Sequence, residues 1–210
     1  MKKLISVIIP AYNEEACVDE LARRLQGVFH TVPQYDFEVL VIENGSVDST
    51  WDRLVKIHES DKRFKIIRLA RNFRMDGGLT AGLHSARGDA AVLMTADLQD
   101  PPELIADFIK KWEEGFQNIY MVVTKRRGTG LLRRFNSRLF YWLAARLTGE
   151  RLPQNASDFR LVDARCTKQY EAWMNEIDLF VACLLGSDFN PSELKLSGHR
   201  DLPEPLGRTV

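Results

Sequence analysis

Four short, nearly continuous apolar runs, residues 4–9, 37–42, 64–69 and 91–94, each break off in the same way. The chain passes into a polar, turn-forming stretch (PAYNEE, ENGSVDST, RNFRMDGG, TADLQDPPE) and then into an amphipathic segment. Runs rich in β-branched residues with no polar alternation read as strands covered on both sides. The spacing of Val18, Leu21, Leu25 and Val28 predicts a helix over 15–28. Further helices are expected at 51–58, up to Arg87, and at 104–112, with a strand at 118–124. Strand and helix alternate, which restricts the fold to an α/β class: a mostly parallel sheet with helices on both faces.

In such sheets ligands bind beyond the carboxyl ends of the strands, so residues 92–103 attract notice. Four apolar residues run into Asp97, Gln99 and Asp100, and Pro101-Pro102 then opens a helix, where proline is tolerated in the first turn. Carboxylate and amide oxygens held there suit Mg²⁺ or Mn²⁺ carrying a diphosphate. The alternative is that Asp100 caps the helix and Asp97 faces water.

Composition excludes several classes. Lys plus Arg and Asp plus Glu are both 29, so no bulk charge recruits nucleic acid. Cys17, Cys166 and Cys183 lie far apart, and the four histidines show no metal-ligand spacing. No run approaches the ~20 apolar residues that span a bilayer, and no signal peptide is evident after Met1, so the expected location is cytoplasmic.

From residue 125 the texture changes. A basic loop, 125–130, precedes an amphipathic stretch, 131–147, with Arg133, Arg134, Arg138 and Arg146 set among aromatic and aliphatic residues. This fits a helix lying in anionic headgroups, or a core helix with solvated arginines. A strand is expected over 155–162, helices over 164–175 and 176–185, and a loosely ordered polar tail over the last 25 residues.

The motifs PAYNEE, ENGSVDST, RNFRMDGG, TADLQDPPE and ASDFRL, in this order, resemble those of family 2 glycosyltransferases of the GT-A (Rossmann-like) fold. They are most similar to polyprenyl-phosphate sugar transferases related to dolichol-phosphate mannose synthase. The resemblance covers about residues 4–165; it implies a transferase domain over 1–165 and a diverged or truncated helical segment and tail over 166–210. It implies a nucleotide-sugar site at Pro10, Tyr12, Glu14, Glu43 and Ala96, and a metal, Mg²⁺ or Mn²⁺, on Asp97 and Gln99. Asp97 and Asp158 take the catalytic positions, and Arg126, Arg133, Arg138 and Arg160 those that meet an acceptor phosphate, with Arg127 and Arg134 beside them.

The implied reaction moves a hexosyl group, with inversion, from a UDP- or GDP-sugar to a polyprenyl phosphate, at the inner face of a membrane to which the protein docks peripherally. Two other readings stay open: a family 2 enzyme acting on a saccharide hydroxyl, with Asp158 as general base, and a non-catalytic nucleotide-sugar-binding relative. Asp158 and Arg160 also suit a structural ion pair, and Glu14 and Glu15 a helix dipole. The chain departs from the family pattern at Thr95, where an aspartate is usual, and at Asn44, where relatives carry a second aspartate. It departs again over 178–184, where an arginine-rich pattern is replaced, and two membrane-spanning helices common in relatives do not occur in these residues.

Overall fold

The computed structural model describes residues 2–123, 156–166 and 191–196. A seven-stranded sheet in the order β3-β2-β1-β4-β6-β5-β7 organises them. Its strands are β1 (Lys3–Ala11), β2 (Tyr35–Glu43), β3 (Phe64–Arg68), β4 (Ala90–Leu93), β5 (Asn118–Val123), β6 (Ala156–Asp163) and β7 (Pro191–Leu196). All run in one direction except β6, which is antiparallel to both β4 and β5. The expected α/β architecture is therefore present, with one reversed strand.

The four apolar runs become the four contiguous parallel strands β3, β2, β1 and β4, as expected of strands that bury both faces. On one face lie α1 (Val18–Thr31), α2 (Thr50–Ser60) and, after a 3₁₀ turn at Pro102–Leu104, α4 (Ile105–Glu113). Val18, Leu21 and Leu25 of α1, Leu54 of α2, and Ile105 and Phe108 of α4 meet Ile5, Val7, Ile9 and Phe159 in the main core. Phe108 and Phe159, both fully buried, pack ring against ring with centroids 4.8 Å apart. Full burial of such side chains stabilises by about 1.5–3 kcal/mol each.

On the other face α3 (Arg74–Ser85) closes a smaller core of Ile8, Leu40, Ile42, Leu79, Ala91 and Leu93. It lies very close to the sheet, and Gly82 is what permits this: a Cβ there would stand 2.2 Å from Ile8 Cγ2.

Two departures from the sequence reading bear on the site. The polar tail, expected to be loose, supplies β7, whose backbone pairs in parallel with β5, so the sheet continues past residue 165. The stretch expected to form helices at 131–147, 164–175 and 176–185 lies largely outside the described residues. Among the described residues no helix is long and apolar enough to cross a membrane.

Candidate active site at the carboxyl edge of the sheet

Because β2 and β3 lie on one side of β1 and β4 on the other, the chain reverses its direction of travel across the sheet between β1 and β4. This switch point opens a crevice beyond the strand ends, where α/β sheets place ligands. The loops after β1 and β4 flank it.

On the β1 side the loop is locked to its neighbour. Asn13, in the left-handed region at φ 55°, accepts the Val47 N–H through Oδ1 at 3.0 Å, while its own N–H donates to Ser46 Oγ at 3.0 Å. The Glu14 N–H donates to Thr50 Oγ1 at 2.8 Å, and Glu15 Oε2 accepts from the Ser49 N–H at 3.0 Å. Asp48 accepts the N–H groups of Thr50 and Glu15, and its carboxyl is held below the usual range by those donors despite the opposing cost of burial. Backbone donors leading into both helices thus find partners across the two loops. Tyr12, 41% exposed, stands outside this lock with its ring open to solvent.

Glu43, expected to meet a base, is instead fully buried at the end of β2. Its carboxylate takes the Ser46 N–H and faces Arg68 Nε at 3.1 Å; Arg68 in turn lies over the Trp51 ring, 4.6 Å from its centroid. A charge buried so deeply needs this pairing, which leaves it bracing the loop. Asn44, read as a departure that removes a charge, is also buried. Its amide bridges to the start of α3: Nδ2 donates to the Arg74 carbonyl at 3.1 Å, and Oδ1 accepts the Phe73 N–H at 3.4 Å. The first turn of α3 is thereby held against Pro10, and a Cβ at Gly78 would lie 2.8 Å from Pro10 Cβ.

On the β4 side the same edge gathers carboxylates. Thr95 Oγ1 donates to Asp97 Oδ1 at 2.7 Å and lies 3.3 Å from Asp100 Oδ2. The Gln99 N–H adds a bond to Asp97 Oδ1 at 3.2 Å, with Leu98 between them at φ 60°. Asp97 Oδ1 is thus aimed by two donors, whereas Oδ2 has no hydrogen-bond partner among the described residues. Asp100 does not cap the helix. It is 7% exposed, and it accepts from Ser157 Oγ of β6 at 3.2 Å, which ties the β4 exit to the start of the reversed strand. Burial, reinforced by the charge of Asp97, pushes its carboxyl up to about 6 despite the Ser157 bond.

The two loops feel each other across the crevice. The Cys17 thiol is pushed up by burial first and then by the negative charges of Glu14 and Asp97. Asp158, at the beginning of β6, is raised by burial, with Arg160 opposing the shift and Asp76 of α3 adding to it. The structure therefore brings Glu14, Asp97, Asp100, Asp158 and the first turn of α3 to one rim.

Other expected members do not face that rim. Ala96 is buried with its methyl in the main core, so it offers no side chain to a ligand. Arg160 is 2% exposed, with its guanidinium 3.4 Å from the Ser157 carbonyl, so it balances Asp158 from within the sheet and does not present a free fork to solvent. Arg126, Arg133 and Arg138 lie outside the described residues. Thr95, Asn13 and Asn44 are the site residues that motif reading missed as such, because their work is done through contacts 29–34 positions away or through a hydroxyl in a place associated with carboxylates.

A divalent cation suits Asp97. Among the described residues its Oδ2 is an unpaired hard oxygen, the rim carries excess negative charge, and the exposed Gln99 amide stands two residues on. Among the described residues no three His, Cys, Asp or Glu side chains converge as a self-sufficient metal group, so such a cation needs further oxygens from its substrate or water.

The sheet order, the crevice at its switch point and the carboxylates on one rim define a GT-A type α/β domain. The chain belongs to glycosyl transferase family 2, whose model matches residues 6–170. It is 39% identical over 160 residues to the uncharacterized glycosyltransferase YkcC of Bacillus subtilis, covering 76% of this chain and 49% of that one. It is 30% identical over 181 residues to a prophage bactoprenol glucosyl transferase homolog of Escherichia coli, covering 86% of this chain and 58% of that one. The chain thus spans about half the length of the curated relatives it matches. A solved glucosyl-3-phosphoglycerate synthase of Mycobacterium tuberculosis, in complex with Mn²⁺, UDP-glucose and phosphoglyceric acid, shares the fold with a TM-score of 0.58 at 17% identity. That likeness covers 96% of this chain and 73% of that one.

Proposed function

We propose that these residues form the nucleotide-sugar domain of an inverting hexosyltransferase that uses a UDP- or GDP-sugar and delivers the sugar to a polyprenyl phosphate. The observation that carries the reading is Asp97: one carboxylate oxygen aimed by Thr95 and Gln99, the other open, at the switch point of the sheet. Relatives named as bactoprenol glucosyl transferases supply the acceptor class.

In this reading the exposed Tyr12 ring lies against the base, and the locked β1 and β2 loops keep that surface rigid. Asp97 and Gln99 hold Mg²⁺ or Mn²⁺, which when bound offsets the charge building on the leaving diphosphate. Thr95 keeps the Asp97 carboxylate from rotating away. A phosphate monoester is largely ionised near neutral pH, its second pKa being about 6, so attack needs no strong base. It needs cations that place the nucleophile, the role assigned to Arg126, Arg133 and Arg138, with the protein docked at the inner face of the membrane.

A saccharide hydroxyl acceptor is the second reading, favoured by Asp158, whose raised proton affinity at the crevice suits a general base. The deciding experiment offers labelled UDP- and GDP-sugars with Mn²⁺ to undecaprenyl phosphate and, separately, to oligosaccharides. Label in the lipid fraction is expected. Label only in saccharide favours the second reading, and no transfer to lipid, saccharide or water overturns both in favour of a non-catalytic binding protein.

A further inference from the structure

The first residue of α3 is an arginine in a backbone conformation that L side chains rarely adopt. Arg74 has φ 63°, and two asparagines hold it there: Asn72 Oδ1 accepts its N–H at 2.7 Å, and Asn44 Nδ2 donates to its carbonyl at 3.1 Å. Glycine takes this conformation without strain. The chain does use glycine where space demands it three and four residues on, at Gly77 and Gly78, where a Cβ would stand 2.5 Å from Phe73 Cβ and 2.8 Å from Pro10 Cβ. At position 74 it keeps a long cationic side chain on a strained backbone.

That side chain is idle within the described residues. Arg74 is exposed, and among the described residues its guanidinium makes no ion pair and no hydrogen bond. Most of the other arginines among the described residues are occupied: Arg24 pairs with Glu103, Arg63 with Asp61 and Arg165 with Asp163, while Arg68 faces Glu43 and Arg71 lies over the Phe73 ring at 4.2 Å. Its place in the fold is also specific. The turn it opens is pressed onto Pro10 at the β1 exit, and Asp76, two residues on, is close enough to Asp158 to raise it. Among the described residues Arg74 is therefore an unpaired cation on a rim that otherwise gathers carboxylates.

We infer that Arg74 is a phosphate-contact residue of this site: its guanidinium receives an anionic phosphate oxygen of a bound substrate, and the strained turn is retained to keep it at the rim. A guanidinium matches phosphate geometry through paired N–H donors. The chemistry is shared by two sources, the diphosphate of the nucleotide sugar and the phosphate of a lipid acceptor. The inference rests on the transferase reading only for the second source.

The test compares Arg74→Gly and Arg74→Lys with the unaltered chain. UDP and GDP affinities are measured by calorimetry with and without Mn²⁺, KM for undecaprenyl phosphate by transfer of labelled sugar, and thermal stability on the same samples. Arg74→Gly removes the strain and the cation together, so the melting temperature is expected to rise by about 2–4 °C. Binding is expected to weaken about tenfold, with Arg74→Lys weakened less. A loss in nucleotide affinity assigns the donor diphosphate; a loss confined to KM for the lipid assigns the acceptor. Unchanged nucleotide affinity together with unchanged KM in Arg74→Gly overturns the inference. If the unaltered chain binds nucleotide but glycosylates no lipid phosphate, the acceptor reading fails by itself, and the nucleotide arm still decides the role of Arg74.

Discussion

The two sides of the crevice are built on opposite electrostatic plans. After β1 and β2, carboxylates are consumed mainly by backbone donors: Asp48 takes Thr50 and Glu15, Glu15 takes Ser49, and Glu43 takes Ser46 while pairing with the Arg68 side chain. After β4 and at the start of β6, Asp100 stands within Coulomb reach of both Asp97 and Asp158, and the hydroxyls of Thr95 and Ser157 are the side-chain donors to Asp97 and Asp100. The first side is finished without a ligand. The second is left with negative charge that a cation and an anionic substrate together can balance, and an isolated cluster of this kind is costly until they do. The difference teaches where rigidity ends and binding energy begins.

The most severe way to break the contrast is Asp97→Ala. Loss of an aimed ligand at the leaving group is expected to lower turnover at least about 100-fold, roughly 3 kcal/mol, and to abolish the metal dependence of nucleotide binding. The melting temperature should hold, since Asp97 braces nothing in the core. A normal metal dependence in that variant sinks the assignment. Gly82→Ala attacks the finished side from beneath. A methyl 2.2 Å from Ile8 Cγ2 forces α3 off the sheet, and a cost of about 2 kcal/mol should lower the melting temperature by roughly 4–8 °C. An unshifted melting curve removes the claim that α3 depends on this close approach.

Thr95→Val separates the two plans more finely. The shape is kept and the hydroxyl lost, so Asp97 is no longer aimed; activity should fall about tenfold with little change in folding. Equal activity in the valine variant means that Thr95 only fills space. The gentlest probe is acid. Asp48 is depressed in the folded chain, so its contribution to stability is present above the unfolded value of 3.8 and is lost as pH falls below it. The difference in melting temperature between the chain and Asp48→Asn should therefore be constant from pH 7 to 5 and shrink toward pH 3. A constant difference across that range counts against the carboxylate as the group that holds the loop.

Much of this was legible beforehand, and unevenly. The strands were readable because runs buried on both faces carry no alternation to confuse the period, and the residues after each run were readable as rim. The roles within the rim were less so. Glu43 looked like a contact for a base, but nothing local announces that Arg68, twenty-five positions on, covers it. Asn44 reads as a missing charge until the Arg74 carbonyl is seen beside its amide. The left-handed turn at Arg74 carries no glycine to mark it. Residues 191–196 read as tail because PSELKL is short and polar, and a parallel pairing with residues 118–123 is set by distant chain.

The reversed direction of β6 has a consequence for how such a domain can diversify. β5 finishes at Val123 on the crevice side, and β6, because it runs the other way, sets out from Ala156 on that same side. The polypeptide joining them is consequently moored at both ends to the mouth of the crevice. Length accepted between those moorings leaves the β3-β2-β1-β4 half of the sheet untouched, so this junction is where new sequence disturbs the framework least.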